Sequence, residues 1–145
     1  MIHKETKVTA DTIKAGKILK MPLEEEDGIT VKGDYSSALK YFVVIGQVIN
    51  HGIVGVFLVN SKINPKAMVD YQFPLYEKDY PDVLEYDSYL DCGNLFELNK
   101  IKLMKEGLEI GELTEKDFEI VIEIIEKSEV ISQKEKKKFG FEDKS

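Results

Sequence analysis

The chain has no arginine and no tryptophan, and only one cysteine and four prolines among its 145 residues. All 20 of its Lys/Arg positions are lysines. Without arginine it lacks the planar, five-donor fork that grips a phosphate or a carboxylate at two oxygens at once. A single cysteine, Cys92, excludes an intramolecular disulfide and a thiolate zinc cluster. The longest apolar runs, Tyr41–Gly46 and Ile53–Val59, are far too short to span a bilayer as a helix. The first residues, Met1 to Lys7, hold no apolar segment of the signal-peptide kind, so a cytoplasmic protein is expected.

What is present is an ordinary globular composition, 43% hydrophobic and 32% charged, in a length that suits one buried core. The expected organisation is a single domain over residues 1–132, followed by a basic, solvated tail over 133–145. The net charge of −7 is unevenly spread. Residues 1–20 hold five lysines against two acids, and residues 133–145 five against three, whereas residues 33–99 hold four against nine. An acidic body argues against a general nucleic-acid binder and against a double-stranded DNA partner.

Most of the chain reads as strands. Lys17–Met21 alternates and stops at Pro22. Glu24 to Ser37 is a polar connection with a short strand at Ile29–Lys32. Leu39–Ile49 is rich in Tyr, Phe, Val and Ile, with Gly46 marking a bulge. Asn50-His51-Gly52 is a turn signal leading into Ile53–Val59, so the two runs form a hairpin. Ala67–Phe73 alternates as a further strand, Pro74–Asp87 is a loop with short turns, and Ser88–Leu98 is a strand pair or one strand bent at Gly93. The period then changes. Thr114 stands as N-cap before Glu115 and Asp117, and Phe118, Val121, Ile122 and Ile125 recur at helical spacing up to about Ser128. Five or six strands and one amphipathic helix imply a mainly β fold: a small, strongly bent sheet or barrel with the helix against it.

The order of these pieces resembles the MazF/PemK family, the toxins of bacterial toxin–antitoxin pairs. Ile13 to Leu19 is similar to the family's opening basic-Gly-polar-Ile strand, and Leu39 to Ile45 sits where the family has Arg-Pro and an apolar strand. Val56 to Ser61 resembles the strand ending in a hydroxyl pair, and Tyr86 to Cys92 the Asp-Ser strand. Ile110-Gly111-Glu112-Leu113, within Gly107 to Ser132, resembles the closing Ile-Gly-x-Leu and helix. The resemblance spans about residues 13–132. It implies an SH3-like barrel with a C-terminal helix, a homodimer, a cognate antitoxin protein as partner, and metal-independent, cofactor-free cleavage of single-stranded RNA at short sequences.

Such cleavage uses the RNA's own ribose hydroxyl as nucleophile, so the protein must hold the phosphate in line, stabilise the crowded dianionic transition state and move protons. The family's strand-start Arg and strand-end Thr or Ser match Lys40 and Ser61 here. Lys40 keeps the charge but not the fork, and Tyr41 stands in place of the following Pro. The expected RNA-facing set is Lys17, Lys20, Asn60, Lys62 and Asn64, and no residue is expected to ligate a metal. Two functions stay open: the endoribonuclease toxin, and a catalytically impaired homologue that acts as a protein- or RNA-binding module. Among other candidates, His51 reads as a polar turn residue and Cys92 as a small buried one. Asp79, Asp82, Glu85, Asp87 and Asp91 read as solvated acids whose spacing fits no calcium loop. Tyr71, Tyr76, Tyr80, Tyr86 and Tyr89 read as packing residues or as stacking faces for bases.

Overall fold

A strand with apolar side chains at successive positions needs cover on both of its faces. The computed structural model, which describes residues 5–29, 37–62 and 69–145, supplies that cover to the run beginning at Leu39. In chain order its strands are β1 (Thr6–Lys7), β2 (Lys17–Leu23), β3 (Ala38–Val48), β4 (Ile53–Asn60), β5 (Gln72–Leu75), β6 (Ser88–Asp91), β7 (Phe96–Asn99) and β8 (Leu108–Glu112). Helix α1 (Lys100–Glu106) lies between β7 and β8, and α2 (Glu115–Lys127) and α3 (Gln133–Lys138) follow β8. The molecule is therefore mainly β with helices.

All eight strands join one antiparallel sheet in the order β1-β8-β2-β3-β4-β6-β5, with β7 also paired to β4. This hydrogen-bonded path runs open from β1 to β5. One face buries Val43, Ile45, Phe57, Leu90 and Cys92 under Val121 and Ile125 of α2. The other buries Phe42, Val44, Val56 and Leu98 with Leu103 of α1. Alternate residues of β3 thus enter two separate cores, which is why the sequence reads there as one continuous apolar run.

Several expectations meet their counterparts directly. Gly46 lies at a register shift of the β3–β4 hairpin, and a short 3-10 turn over Ile49–His51 closes that hairpin through Gly52, at φ +61°. Thr114 caps α2, its hydroxyl accepting from the Asp117 N–H at 3.2 Å, and Ser128 is the C-cap. Cys92 is fully buried, and that burial pushes its thiol pKa up.

Others are corrected. β2 runs through Pro22 to Leu23, because its pairing with β8 ends at Lys20 and the proline needs no donor on that side. The strand expected at Ala67–Phe73 begins only at Gln72, after a 3-10 turn over Val69–Tyr71, and continues through Pro74; residues 67 and 68 lie outside the described ones. The strand expected at Ile29–Lys32 also lies mostly outside them. Of the two alternatives for Ser88–Leu98, the bent strand is the one found: β6 and β7 do not pair with each other but lie one after the other along β4, opposite Val59–Asn60 and Ile53–Val56, with the break around Gly93.

The largest correction concerns residues 133–145, which pack against the body of the molecule. Ser132 and Glu135 form a reciprocal capping box that starts α3. Lys136, only 1% exposed, donates to the carbonyls of Glu126 and Ser128 at 2.9 and 2.7 Å and to Asp143 Oδ1 at 2.7 Å. That hydrogen bond holds the Asp143 carboxyl well below the usual carboxylate range. One lysine of the basic run therefore closes the carbonyl end of α2, where a cation is favoured.

Candidate functional site

A cleft of about 530 Å³ opens where β3 and β4 part. The ladder between these strands ends at Tyr41↔Val59, and residues just beyond that pair line the opening. Leu39, Lys40 and Tyr41 come from the start of β3, Val59 and Asn60 from the end of β4, and Ser61 and Lys62 from the turn after it. Leu84, Glu85, Tyr86 and Ser88 complete the lining from the loop before β6 and its first residue.

Burial separates the cleft's base from its rim. Leu84 and Ser88 are buried, and Lys40, Tyr41, Val59 and Asn60 are half-buried. Ser61, Lys62, Glu85 and Tyr86 are exposed, with Leu39 also open to solvent. Hydrogen bonds flank the Glu85–Tyr86 segment: before it, the Leu84 N–H donates to the Tyr80 carbonyl at 2.9 Å. The Ser88 hydroxyl donates to the Tyr86 carbonyl at 3.1 Å, and Asp87 Oδ1 accepts from the Glu77 N–H at 2.8 Å. A loop held in this way keeps its backbone near one geometry before anything binds, which lowers the entropy lost on binding.

Four of the seven residues selected from the sequence, Lys40, Asn60, Ser61 and Lys62, line this one cleft. Strand alternation sets how the strand residues arrive. Lys40 follows the parity of Phe42 and Val44, and Val59 that of Phe57. Lys40 thus stands on the strand parity of the second core, while Ser61 lies in the turn after β4, where the ladder has ended and alternation no longer sets its direction.

Lys17 and Lys20 stand elsewhere. Lys17 pairs with Glu109 at 3.0 Å and with Glu112 at 3.6 Å, and the hydrogen bond it donates to Glu109 raises its pKa against the opposing effect of burial. Lys20 pairs with Glu5. Both lysines are bound to acids of the N-terminal segment and β8 rather than turned to the cleft. Asn64 lies outside the described residues.

Sequence reasoning gave the cleft neither Leu39, Glu85 nor Tyr86: it read Leu39 as the start of a strand, Glu85 as one of five solvated acids, and Tyr86 as one of five tyrosines and the start of the Asp-Ser motif. The five tyrosines part company in the structure: Tyr80 is buried, Tyr71 and Tyr89 are half-buried, and Tyr76 and Tyr86 are exposed. Of these, Tyr86 alone contributes to the cleft lining. Position beside a strand end was the available signal, since such ends are where a rigid sheet presents loop residues. His51 lies exposed in its hairpin turn. Among the described residues no group of three or more His, Cys, Asp or Glu side chains is placed to hold a metal ion, and no helix is long and apolar enough to cross a membrane.

No protein-family model matches the chain, and no curated protein matches it.

Proposed function

We propose that the cleft binds single-stranded RNA and cuts it without a metal, as the MazF/PemK toxins do. The observation that carries this reading is the convergence of Lys40, Asn60, Ser61 and Lys62, each chosen from motif position or charge, on one cleft. The mainly β architecture, with an open antiparallel sheet and a helix packed over one face, is compatible with an SH3-like barrel of that family. A homodimer, an antitoxin protein partner and a cytoplasmic setting belong to the same reading.

In the reaction, the ribose 2′-hydroxyl attacks the adjacent phosphorus and the bond to the 5′-oxygen breaks. The products end in a cyclic phosphate and a free hydroxyl. The Lys40 ammonium stabilises the charge gathering on the non-bridging oxygens, and the Ser61 hydroxyl donates to one of them. Asn60 and Lys62 hold the flanking strand, the first by hydrogen bonds and the second by charge.

The test is incubation of an RNA pool with the full chain in the presence of a chelator, followed by mapping of the new ends. Lys40→Ala and Ser61→Ala should each slow cutting on the order of 10²–10³-fold. Cutting by both variants at the rate of the unaltered chain removes this site assignment. A second reading, a module that binds RNA without cutting it, is favoured by Glu85 in the lining. It predicts RNA retained intact by the protein.

A further inference from the structure

The cleft holds features that phosphate binding does not use. Leu39 and Tyr86 belong to different elements and are each 59% exposed, although both are large apolar side chains. An exposed aromatic ring beside lysines is a sequence-tolerant platform for an unpaired base, because every base has a π-face. Next to Tyr86 stands Glu85, on the loop held by Asp87 and Ser88. A carboxylate repels phosphate, so its presence calls for a different ligand group. An ionised carboxylate only accepts hydrogen bonds, and accepts two at once when two donors lie side by side.

Among the four RNA bases, only guanine offers two adjacent donors on its Watson–Crick edge, the ring N–H and the exocyclic amino group. Adenine and cytosine each set one amino donor beside an acceptor, and uracil sets one N–H between two carbonyl oxygens. Resting on the RNA-binding reading above, we infer that the cleft takes an unpaired guanine, stacked on Tyr86 against Leu39, with its Watson–Crick edge on the Glu85 carboxylate. Lys40 and Lys62 then meet the phosphates on either side of that nucleotide. Single-stranded RNA is commonly read in this way, by stacking and by edge hydrogen bonds.

The experiment measures fluorescence anisotropy of pentanucleotides bound to the full chain, with 2′-fluoro riboses so that no attacking hydroxyl is present. One oligonucleotide carries a central guanine among uracils, a second carries inosine there, and a third is all uracil. Guanine should bind on the order of tenfold tighter than uracil, with inosine between them because it keeps the ring N–H and loses the amino group. Glu85→Gln should bring guanine down to the uracil level, and Tyr86→Ala should weaken all three by roughly tenfold. Both side chains are exposed, and circular dichroism checks that the variants fold. Measurable binding with guanine and uracil equal overturns the guanine assignment and leaves the RNA-binding cleft standing. A guanine preference that survives Glu85→Gln removes Glu85 as its reader. No binding of any oligonucleotide removes both this inference and the reading beneath it.

Discussion

Tyr80 ties two distant parts of the chain through one hydroxyl. It donates to Asp117 Oδ2 at 2.6 Å and accepts from the Thr114 N–H at 3.1 Å, so it closes the N-terminal turn of α2 from outside the helix. Burial, followed by the hydrogen bond to Asp117, pushes its pKa up to about 12. The unfolded chain loses this proton near pH 10, while the folded one holds it. Between those values the unfolded state binds fewer protons, so stability falls as pH rises. Thermal unfolding followed from pH 9 to 12 should show that fall, and Tyr80→Phe should flatten it while lowering stability at neutral pH by about 1–2 kcal/mol. An unchanged alkaline slope in Tyr80→Phe would assign the effect to other groups. Sequence gave no hint of this role, since Asp117 is 37 positions away. Thr114 and Ser128, by contrast, were legible as the limits of α2, because a cap acts on backbone groups a few residues off. The same distinction explains the cleft. Lys40 and Ser61 lie in strand-end motifs that sequence can carry, whereas Glu85 and Tyr86 matter only because a loop folds back beside them.

Elements were legible where one periodicity spans them and obscure where two signals compete. The β3–β4 hairpin announces itself by β-branched runs around a Gly turn. Helix α1 does not, because Lys100-Ile101-Lys102-Leu103 alternates with the period of a strand; the Asn99 side chain, accepting from the Lys102 N–H at 3.0 Å, turns it into a helix. In residues 133–145 the lysine run outweighed two better signals, the Ser132–Glu135 capping box and Phe139. That phenylalanine explains a pair of glycines. Gly46 and Gly55 face each other across the hairpin, and a methyl on Gly55 would stand 2.9 Å from Cε1 and Cζ of Phe139. The two glycines thus leave a slot in the sheet that the ring of Phe139 covers, and Lys138 fastens the segment further by pairing with Glu97 at 2.6 Å. Phe139→Ala should cost about 3 kcal/mol in chemical denaturation. Gly55→Ala should cost roughly 1–3 kcal/mol by displacing the ring. The double variant should lose clearly less than the sum, because the added methyl then meets the space the ring has left. Additive losses would show that the ring and the glycine act independently.

At the scale of the whole molecule the governing quantity is where its positive charge is spent. The acidic body takes up many of the lysines. Lys17 and Lys20 pair with acids on and near the β1–β8 edge, Lys102 meets Asp27 at 2.7 Å, Lys136 is buried against Asp143, and Lys138 and Lys144 hold acids of β7 and α2. Among the described residues the lysines that line the cleft are Lys40 and Lys62. Each phosphate neutralised releases counterions, and for single strands the logarithm of affinity falls against that of salt with a slope of about −0.7 per contact. Two contacts give a slope of about −1.4 for one cleft. If two copies of the chain join their clefts into one groove, the same strand meets four lysines and the slope approaches about −2.8. Binding of a short single-stranded RNA, titrated across a range of salt concentrations beside sedimentation of the protein at the same concentrations, separates these cases. A shallow slope with a monomer, or a doubled slope with a dimer, agrees with an RNA site confined to the cleft. A slope beyond about −4 would mean that lysines now paired with carboxylates release them to meet RNA, so the strand would run over the β2 and β8 side as well as the cleft.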